Sequence, residues 1–147
     1  MTTTIRPLAP IDRPTWEILF TAYAEFYKTT IPDGGFEAVW GWIFDPHNNF
    51  WCDVAEMDGK IVGFTQYQLM HRSLGGSMVC YLSDLYVNPD VRGGGIGRAM
   101  IDHVIAFAQS KGLTNVRWLT QDFNYVGRRL YDTYQPKSDF ILYSVPV

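Results

Sequence analysis

The sequence predicts a mixed α/β sheet with helices on both of its faces, in the order β-α-α-β-β-β-α-β-α-β. Apolar residues recur at helical spacing in four segments, and runs rich in β-branched and aromatic residues lie between these segments. Glycine and proline separate most of the segments, as they do at turns and helix ends. The 147 residues fit a single domain, and we expect residues 1–147 to form it.

Six segments have the composition of β-strands. Residues 57–60 (Met-Asp-Gly-Lys) join two of them and predict a hairpin turn, because Asp-Gly favours the positive φ angles of tight turns. Residues 88–89 (Asn-Pro) end the fourth strand. The predicted strands are residues 2–8, 50–56, 61–70, 78–87, 116–120 and 139–145.

Four segments carry the apolar periodicity of amphipathic helices. The first follows residues 12–14 (Asp-Arg-Pro), which predict an N-cap at Asp12 with a proline inside the first turn. Gly112 follows the third helix at the position of a C-terminal glycine. The apolar positions of the four helices lie within residues 16–27, 36–44, 95–111 and 124–134.

Charge is unevenly distributed along the chain. Residues 1–58 hold nine acidic and three basic side chains, a balance of −6, whereas residues 59–147 hold six acidic and nine basic ones, a balance of +3. This distribution argues against a broad nucleic-acid surface. It fits an anionic ligand on the C-terminal half of the chain and a cationic ligand near the N-terminal half.

Other features restrict the compartment and the chemistry. No apolar run approaches the ~20 residues that a membrane helix needs, and the N-terminus lacks an apolar signal core. The two cysteines, Cys52 and Cys80, form no CxxC pair and are interpreted as buried, reduced thiols, so we expect a cytoplasmic protein. The three histidines share no metal-ligand spacing, and no metal is expected.

The strongest local signal is the glycine-rich segment of residues 92–98 (Arg-Gly-Gly-Gly-Ile-Gly-Arg). It follows a strand and a proline turn and opens a helix, so free backbone N–H groups and the positive end of the helix dipole meet there. Arg92 and Arg98 add positive charge, and we expect a diphosphate ligand. A P-loop is excluded because no Gly-Lys-Ser/Thr occurs. A dinucleotide fingerprint is excluded because Arg98 or Met100 occupies the position of its third glycine.

Two motifs, with one helix and one strand between them, carry a family resemblance. Arg92-x-x-Gly95-x-Gly97 is similar to the Q/R-x-x-G-x-G/A pyrophosphate loop of the GNAT superfamily of N-acetyltransferases. Residues 124–131 (Asn-Tyr-Val-Gly-Arg-Arg-Leu-Tyr) are similar to that family's N-x-x-A-x-x-L/F-Y stretch. The resemblance covers nearly the whole chain. It implies a GNAT-like sheet with a splayed central strand pair, acetyl-CoA as co-substrate, and transfer of its acetyl group to an amine by direct attack.

The resemblance also implies an acetyl-CoA site. Backbone N–H groups of the glycine-rich segment would hold the diphosphate. The strand before that segment would pair with the pantetheine arm where it splays from residues 116–120, and Asn124 would bond the pantetheine. The implied cofactor-binding residues are Leu85, Tyr86, Val87, Arg92, Gly93, Gly94, Gly95, Ile96, Gly97, Arg98, Asn124 and Arg128.

The same resemblance places Tyr131 near the sulfur as the general acid that protonates the leaving CoA thiolate, with Tyr134 on the same helix face as the alternative. The resemblance does not assign the general base directly. Diamine acetyltransferases, the most similar group, carry Leu-Glu-Asp where this chain has Leu82-Ser83-Asp84, so Ser83 replaces the glutamate often assigned as the base. A water held by Ser83 or Tyr81 would then relay the proton to Asp84 or Glu25, while a capping or pairing role for Asp84 remains open.

The acceptor is expected to be a small cationic amine bound against the acidic N-terminal half. Residues assigned to its binding are Tyr23, Glu25, Tyr27 and Tyr81. Acetylation of a protein amine and a non-catalytic acyl-CoA-binding module are the alternative functions. After Tyr131 the chain departs from the family pattern and has one further predicted strand where two are usual, so a homodimer in which a second subunit completes the pocket is a further expectation.

Overall fold

The computed structural model describes residues 2–147. It contains a five-stranded sheet and four α-helices, in agreement with the predicted α/β class. The strands are β1 (Thr3–Pro7), β2 (Phe50–Met57), β3 (Lys60–Arg72), β4 (Ser77–Val87) and β5 (Val116–Arg117). The helices are α1 (Arg13–Phe26), α2 (Gly35–Phe44), α3 (Ile96–Ser110) and α4 (Tyr125–Tyr131).

The strands follow one another across the sheet in sequence order. β1 to β4 pair antiparallel, and β4 pairs with β5 in parallel. The predicted hairpin turn between β2 and β3 is confirmed, because Asp58 and Gly59 have φ angles of 53° and 77°. Short connections join β2 to β3 and β3 to β4, whereas α1 and α2 lie between β1 and β2, and α3 carries the chain across to β5.

The two faces of the sheet carry separate apolar clusters, as strand alternation requires. On one face, α1 packs on β2, β3 and β4 with a core formed by Leu8, Trp16, Leu19, Phe20, Cys52, Val54, Phe64 and Tyr86. On the other face, α3 buries Met100, Ile101, Val104 and Ala108 against the same strands. The predicted placement of helices on both faces is confirmed.

The C-terminal part of the sheet differs from the prediction. β5 contains two residues instead of five, because only Val116 and Arg117 pair with β4 before the two segments diverge. The predicted final strand at residues 139–145 is wrong, since no regular secondary structure follows α4. A strand needs a partner backbone, and residues 139–145 pair with no strand within residues 2–147.

The start of α1 also differs from the prediction. Asp12 does precede the helix, but its side chain makes no capping bond to the helix N–H groups. Its carboxylate instead accepts hydrogen bonds from the Arg6 guanidinium at 2.7 Å and from the Ala9 N–H at 2.8 Å. The Arg6 guanidinium holds the pKa of Asp12 below its ordinary value. Asp12 therefore ties β1 to the turn before α1.

Two further expectations concern reactive and membrane-spanning features. Cys52 and Cys80 are free and buried, and burial raises the pKa of the Cys80 thiol to about 11, so it stays protonated near neutral pH. Burial also raises the pKa of the Cys52 thiol. None of the helices within residues 2–147 is long and apolar enough to cross a lipid bilayer.

Candidate active site

The divergence of β4 and β5 opens a cleft at the centre of the molecule. Beyond the Tyr81–Arg117 pair, the edge of β4 that faces β5 has no strand partner within residues 2–147. The enclosed part of the cleft is small, about 10 Å³, which is about the space that one water molecule needs. Its lining residues are Tyr23, Tyr27, Leu82, Ser83, Leu85, Ile101, Trp118, Leu119 and Tyr131.

A β-bulge lies in β4 beside this cleft. Tyr67 pairs with Leu82 and Gln66 pairs with Asp84, so Ser83 is an extra residue without a partner in β3. Strict alternation would turn Asp84 toward α3 together with Leu82. The extra residue instead places Asp84 on the α1 face, opposite Gln66. The bulge thus brings a carboxylate to the α1 face, directly after Ser83, which lines the cleft.

The environment of Asp84 perturbs its protonation. Burial raises the pKa of the Asp84 carboxyl above its ordinary value, although the Gln66 amide, which donates to the carboxylate, and the neighbouring Tyr23 phenol oppose that shift. The Tyr23 hydroxyl lies 3.5 Å from the Ser83 carbonyl oxygen. Gln66 Nε2 lies 2.7 Å from Asp84 Oδ2. The neighbouring Ser83 bonds to a different glutamine: its hydroxyl oxygen accepts a hydrogen bond from Gln68 Nε2 at 3.0 Å. A half-buried carboxyl with a raised pKa next to a cleft is a candidate proton acceptor.

The glycine-rich segment forms the turn into α3. Gly93 and Gly95 have φ angles of 89° and 81°, which side chains rarely adopt, so these two glycines are required by the backbone. The first backbone bond at the start of α3 is donated by Ala99 to the Gly95 carbonyl at 2.9 Å. The N–H groups before Ala99 have no acceptor inside the helix, as at every helix N-terminus.

The arginines of this region have separate placements. Arg92 Nε donates to the Val87 carbonyl at 3.0 Å, which holds the guanidinium over the Tyr86 ring. Arg98 donates to Thr133 Oγ1 at 2.8 Å. Arg128 is bound to Asp122, so the structure does not join it to the glycine-rich segment.

Most of the remaining predicted cofactor residues lie at the end of β4 and at the start of α3. Tyr86 packs on the α1 side of β4, whereas Leu85 and Val87 pack against the α3 side together with Ile96. A Cβ at Gly97 would lie 3.4 Å from the Leu130 side chain, so this position lets α3 approach α4 closely. Gly94 has no positive φ angle and is exposed.

Asn124 lies at the N-terminus of α4, where its Oδ1 accepts the Gly127 N–H at 3.1 Å and its Nδ2 donates to Thr120 at 2.9 Å. Both ends of its amide therefore have partners inside the protein. A Cβ at Gly127 would lie 2.5 Å from Asn124 Nδ2. Glycine at this position leaves room for the Asn124 side chain.

The two candidate tyrosines of α4 and its C-terminal turn occupy different surroundings. Tyr131 lines the cleft and its ring packs against Trp118. Burial raises the pKa of the Tyr131 phenol to about 12, so the group keeps its proton near neutral pH. Tyr134 donates to Asp102 Oδ1 at 2.7 Å on the outer surface of α3. Only Tyr131 lies at the cleft.

The predicted acceptor residues are brought together only in part. Tyr23 and Tyr27 line the cleft with their ring centroids 5.0 Å apart. Tyr81 is close enough to Asp84 that the carboxylate, together with burial, raises the pKa of the Tyr81 phenol. Glu25 is exposed and lies in a separate groove between α1 and α2, beside Arg13 and Glu17, so the structure does not bring it to the cleft.

Sequence reasoning missed Gln66, Gln68 and Trp118. Both glutamines bond to residues of the bulge, and Trp118 forms a wall of the cleft. One signal was present in the sequence: two glutamines two positions apart in an otherwise apolar strand share one face of the sheet. Such polar side chains need buried partners.

The comparison with known sequences identifies the family. The Acetyltransferase (GNAT) family model matches residues 16–134, from α1 to the end of the α4 region. A D-amino-acid N-acetyltransferase of Saccharomyces cerevisiae is 30% identical over 141 residues, which cover 95% of this chain and 88% of that protein. A thialysine N-epsilon-acetyltransferase of Sus scrofa is 36% identical over 92 residues, which cover 57% of this chain and 54% of that protein.

Solved structures share the fold at lower sequence identity. An aminoglycoside N-acetyltransferase in complex with CoA has a TM-score of 0.84 at 19% identity, with 99% of this chain and 95% of that chain covered. A ribosomal-protein-alanine N-acetyltransferase from Brucella melitensis has a TM-score of 0.82 at 22% identity, with both chains fully covered. With a family match that covers β2 to β5, the glycine-rich segment and α4, the chain belongs to the GNAT acetyltransferase family and is an acetyl-CoA-dependent N-acetyltransferase.

Proposed function

We propose that this enzyme acetylates a small cationic amine at the cleft between β4 and β5. The observation that carries the proposal is the meeting of Tyr131, Tyr23 and the bulge of Ser83 and Asp84 at one opening of the sheet. The cleft combines a protonated phenol with a carboxyl whose pKa is raised. These are the acid and base that amine acetylation requires.

Acetyl-CoA is proposed to enter from the α3 side. The N–H groups at the start of α3 and the positive end of its dipole bind the diphosphate, and Arg92 and Arg98 supply charge. The unpaired edge of Leu85 to Val87 on β4 offers backbone groups to the pantetheine arm. Asn124 and Arg128 already have partners within the protein, so their contacts to acetyl-CoA would be made alongside those bonds or by exchanging them.

The proposed reaction is direct transfer. The ammonium group of the acceptor loses a proton toward Asp84, through a water or hydroxyl group beside Ser83, Tyr81 and Tyr23. The neutral amine then attacks the thioester carbon, so that a C–N bond forms and the C–S bond breaks. The leaving thiolate takes the phenol proton of Tyr131, and the second amine proton then passes to the Tyr131 phenolate, which leaves a neutral acetamide and restores the phenol.

The proposed acceptor is small because aromatic side chains close around the cleft. Tyr23, Tyr27 and Tyr131 restrict its width, and their rings favour a cation. The names of two relatives agree with this size class, since one acts on D-amino acids and the other on thialysine. A protein amine remains the second candidate, favoured by the open groove between α1 and α2 where Glu17 and Glu25 lie.

A cytoplasmic location is also proposed. It is supported by the two cysteines, which are free and buried in separate parts of the core. Thiols of this kind persist in reducing compartments.

The first prediction concerns the glycine-rich segment. Gly94→Val adds a side chain without straining the backbone, since a Cβ there meets only the Val91 carbonyl at 3.6 Å. We expect the KM for acetyl-CoA to rise about tenfold, because one hydrogen bond to a charged group is worth about 1.5 kcal/mol. Steady-state kinetics measure the KM, and thermal unfolding checks that the substitution leaves the fold unstrained. Gly41→Val on α2, where the space is also open, is the matched control. An unchanged KM in Gly94→Val would place the diphosphate elsewhere.

The second prediction concerns the general acid. Tyr131→Phe keeps the ring against Trp118 and removes the proton donor, so kcat should fall by about 10²-fold. The affinity for acetyl-CoA, measured by calorimetry, should change little. Tyr134→Phe is the control, because its hydroxyl bonds to Asp102 away from the cleft. A kcat that falls only in Tyr134→Phe would show that the acid has been assigned to the wrong ring.

The third prediction concerns the acceptor. In a competition assay, a small diamine or amino acid should be acetylated in preference to a peptide with a free N-terminus. Tyr81→Leu should raise the acceptor KM several-fold, since a cation–π contact contributes about 0.5–2 kcal/mol. Glu25→Gln is expected to leave that KM unchanged, because Glu25 lies in the outer groove. Preference for the peptide, together with an effect of Glu25→Gln, would favour the protein substrate.

The fourth prediction concerns assembly. We propose a homodimer formed through residues 139–147, where Ile141 and Tyr143 expose 76% and 86% of their surface although the segment is apolar. The open edge beyond β5 offers backbone partners to such a segment. Sedimentation velocity should show a dimer, and the double variant Ile141→Ser, Tyr143→Ser should be monomeric. Tyr125→Ser, at another exposed aromatic residue, should stay dimeric. A monomeric wild-type protein would contradict the proposal.

A further inference from the structure

A chain of three polar groups, of which the inner two are buried, runs from α1 to the bulge of β4. Trp16 Nε1 donates to Gln66 Oε1 at 2.9 Å, and Gln66 Nε2 donates to Asp84 Oδ2 at 2.7 Å. An indole N–H can only donate, so the atom of Gln66 that faces it must be the carbonyl oxygen. The amide N–H₂ is therefore directed to the carboxylate, and the orientation of Gln66 follows from chemistry instead of from an arbitrary choice.

The two inner groups of this chain, Trp16 and Gln66, have no access to water that could replace the bond between them. Trp16 and Gln66 are both 0% exposed. The indole is further fixed by edge contacts with Phe20 and Phe36 and by a tilted contact with Trp40. If the Gln66 amide rotated by half a turn, N–H would face N–H at Trp16 and oxygen would face oxygen at Asp84. Trp16 thus selects the single orientation in which Gln66 can donate to Asp84.

The charge on Asp84 depends on few groups. Its titratable neighbours are Tyr23 on α1, Cys52 on β2 and Tyr81 on β4, and all three keep their protons near neutral pH because their pKa values are raised. Burial raises the pKa of Asp84, and two groups act in the opposite direction, first the Gln66 amide and then the Tyr23 phenol. Loss of the Gln66 donor would therefore raise the pKa of Asp84 further, because Tyr23 alone would then oppose the effect of burial.

We propose that Gln66 is a positioning residue for acetyl transfer. Its amide donates to the Asp84 carboxylate, which it holds in place behind Tyr23 and Ser83 and favours in the ionised form. Trp16 acts one step further away by fixing the Gln66 amide. This inference rests on the proposed role of Asp84 as the proton acceptor. It adds that the strength of that base is set from the core beneath α1 and not from the cleft.

The test is the pH dependence of kcat/KM for the acceptor amine. Gln66→Met replaces the amide with an apolar side chain of similar length. The acidic limb of the profile should move to higher pH by about one unit, so the rate on that limb falls about tenfold and is restored by raising the pH. The KM for acetyl-CoA should stay unchanged. A purely structural role would lower the rate by the same factor at every pH.

Three further variants keep the test decisive. Trp16→Phe leaves Gln66 in place but free to rotate, and should move the acidic limb in the same direction by a smaller amount. Gln68→Met, which removes the neighbouring glutamine on the same face, should leave the limb where it is. In an Asp84→Asn background, Gln66→Met should cause no further loss of kcat, because its effect is exerted through Asp84.

The outcomes separate this inference from the proposed function. If Asp84→Asn has the wild-type kcat, the role of Asp84 as the base is wrong. If Asp84→Asn lowers kcat while Gln66→Met and Trp16→Phe leave the acidic limb unmoved, the inference about Gln66 is overturned and the proposed function stands. Thermal unfolding of each variant confirms that the kinetics are measured on folded protein.

Discussion

The site depends on one unpaired residue in the middle of β4. A strand turns successive side chains to opposite faces, so inserting a single residue reverses the facing of the next one. Ser83 is that residue, and because of it Asp84 faces Gln66 on the α1 side instead of the α3 core. Three residues before it, at Cys80 and Tyr81, the pairing with β5 ends. The bulge and the divergence together create both the cleft and its carboxylate.

Aromatic packing connects this point to the rest of the molecule. Rings lie in continuous contact from Trp16 through Phe20 and Tyr23 to Tyr86, with centroid separations between 5.4 and 6.3 Å. Most of these rings belong to the core, and only Tyr23 and Tyr27 of α1 reach the cleft. Because rigid rings leave few alternative arrangements, α1 is held at a fixed distance from β4. The position of Tyr23 beside Asp84 follows from that packing.

The buried carboxylates show how Asp84 differs from its neighbours. Asp12 is paired with Arg6, which holds its pKa low. Asp53 accepts from Tyr67 at 2.5 Å and from His103 at 3.0 Å on the α3 side of the sheet. Asp84 has only neutral donors, and its pKa is raised. A carboxyl without a cationic partner is a poor contribution to stability near neutral pH, because the ionised form is the one that burial disfavours. That cost fits a group retained for proton transfer.

The sequence by itself determined the order of elements, the β2–β3 turn and the glycine-rich entry to α3. These depend on local properties: periodicity, the φ angles open to glycine, and the residues that end helices. Tertiary structure alone decided the short β5, the missing final strand, the groove position of Glu25 and the separation of Tyr131 from Tyr134. It also decided the partners of Asp84, because the facing of a side chain beyond a bulge depends on strand register. Register is set by contacts between segments far apart in the chain, and no local pattern encodes it.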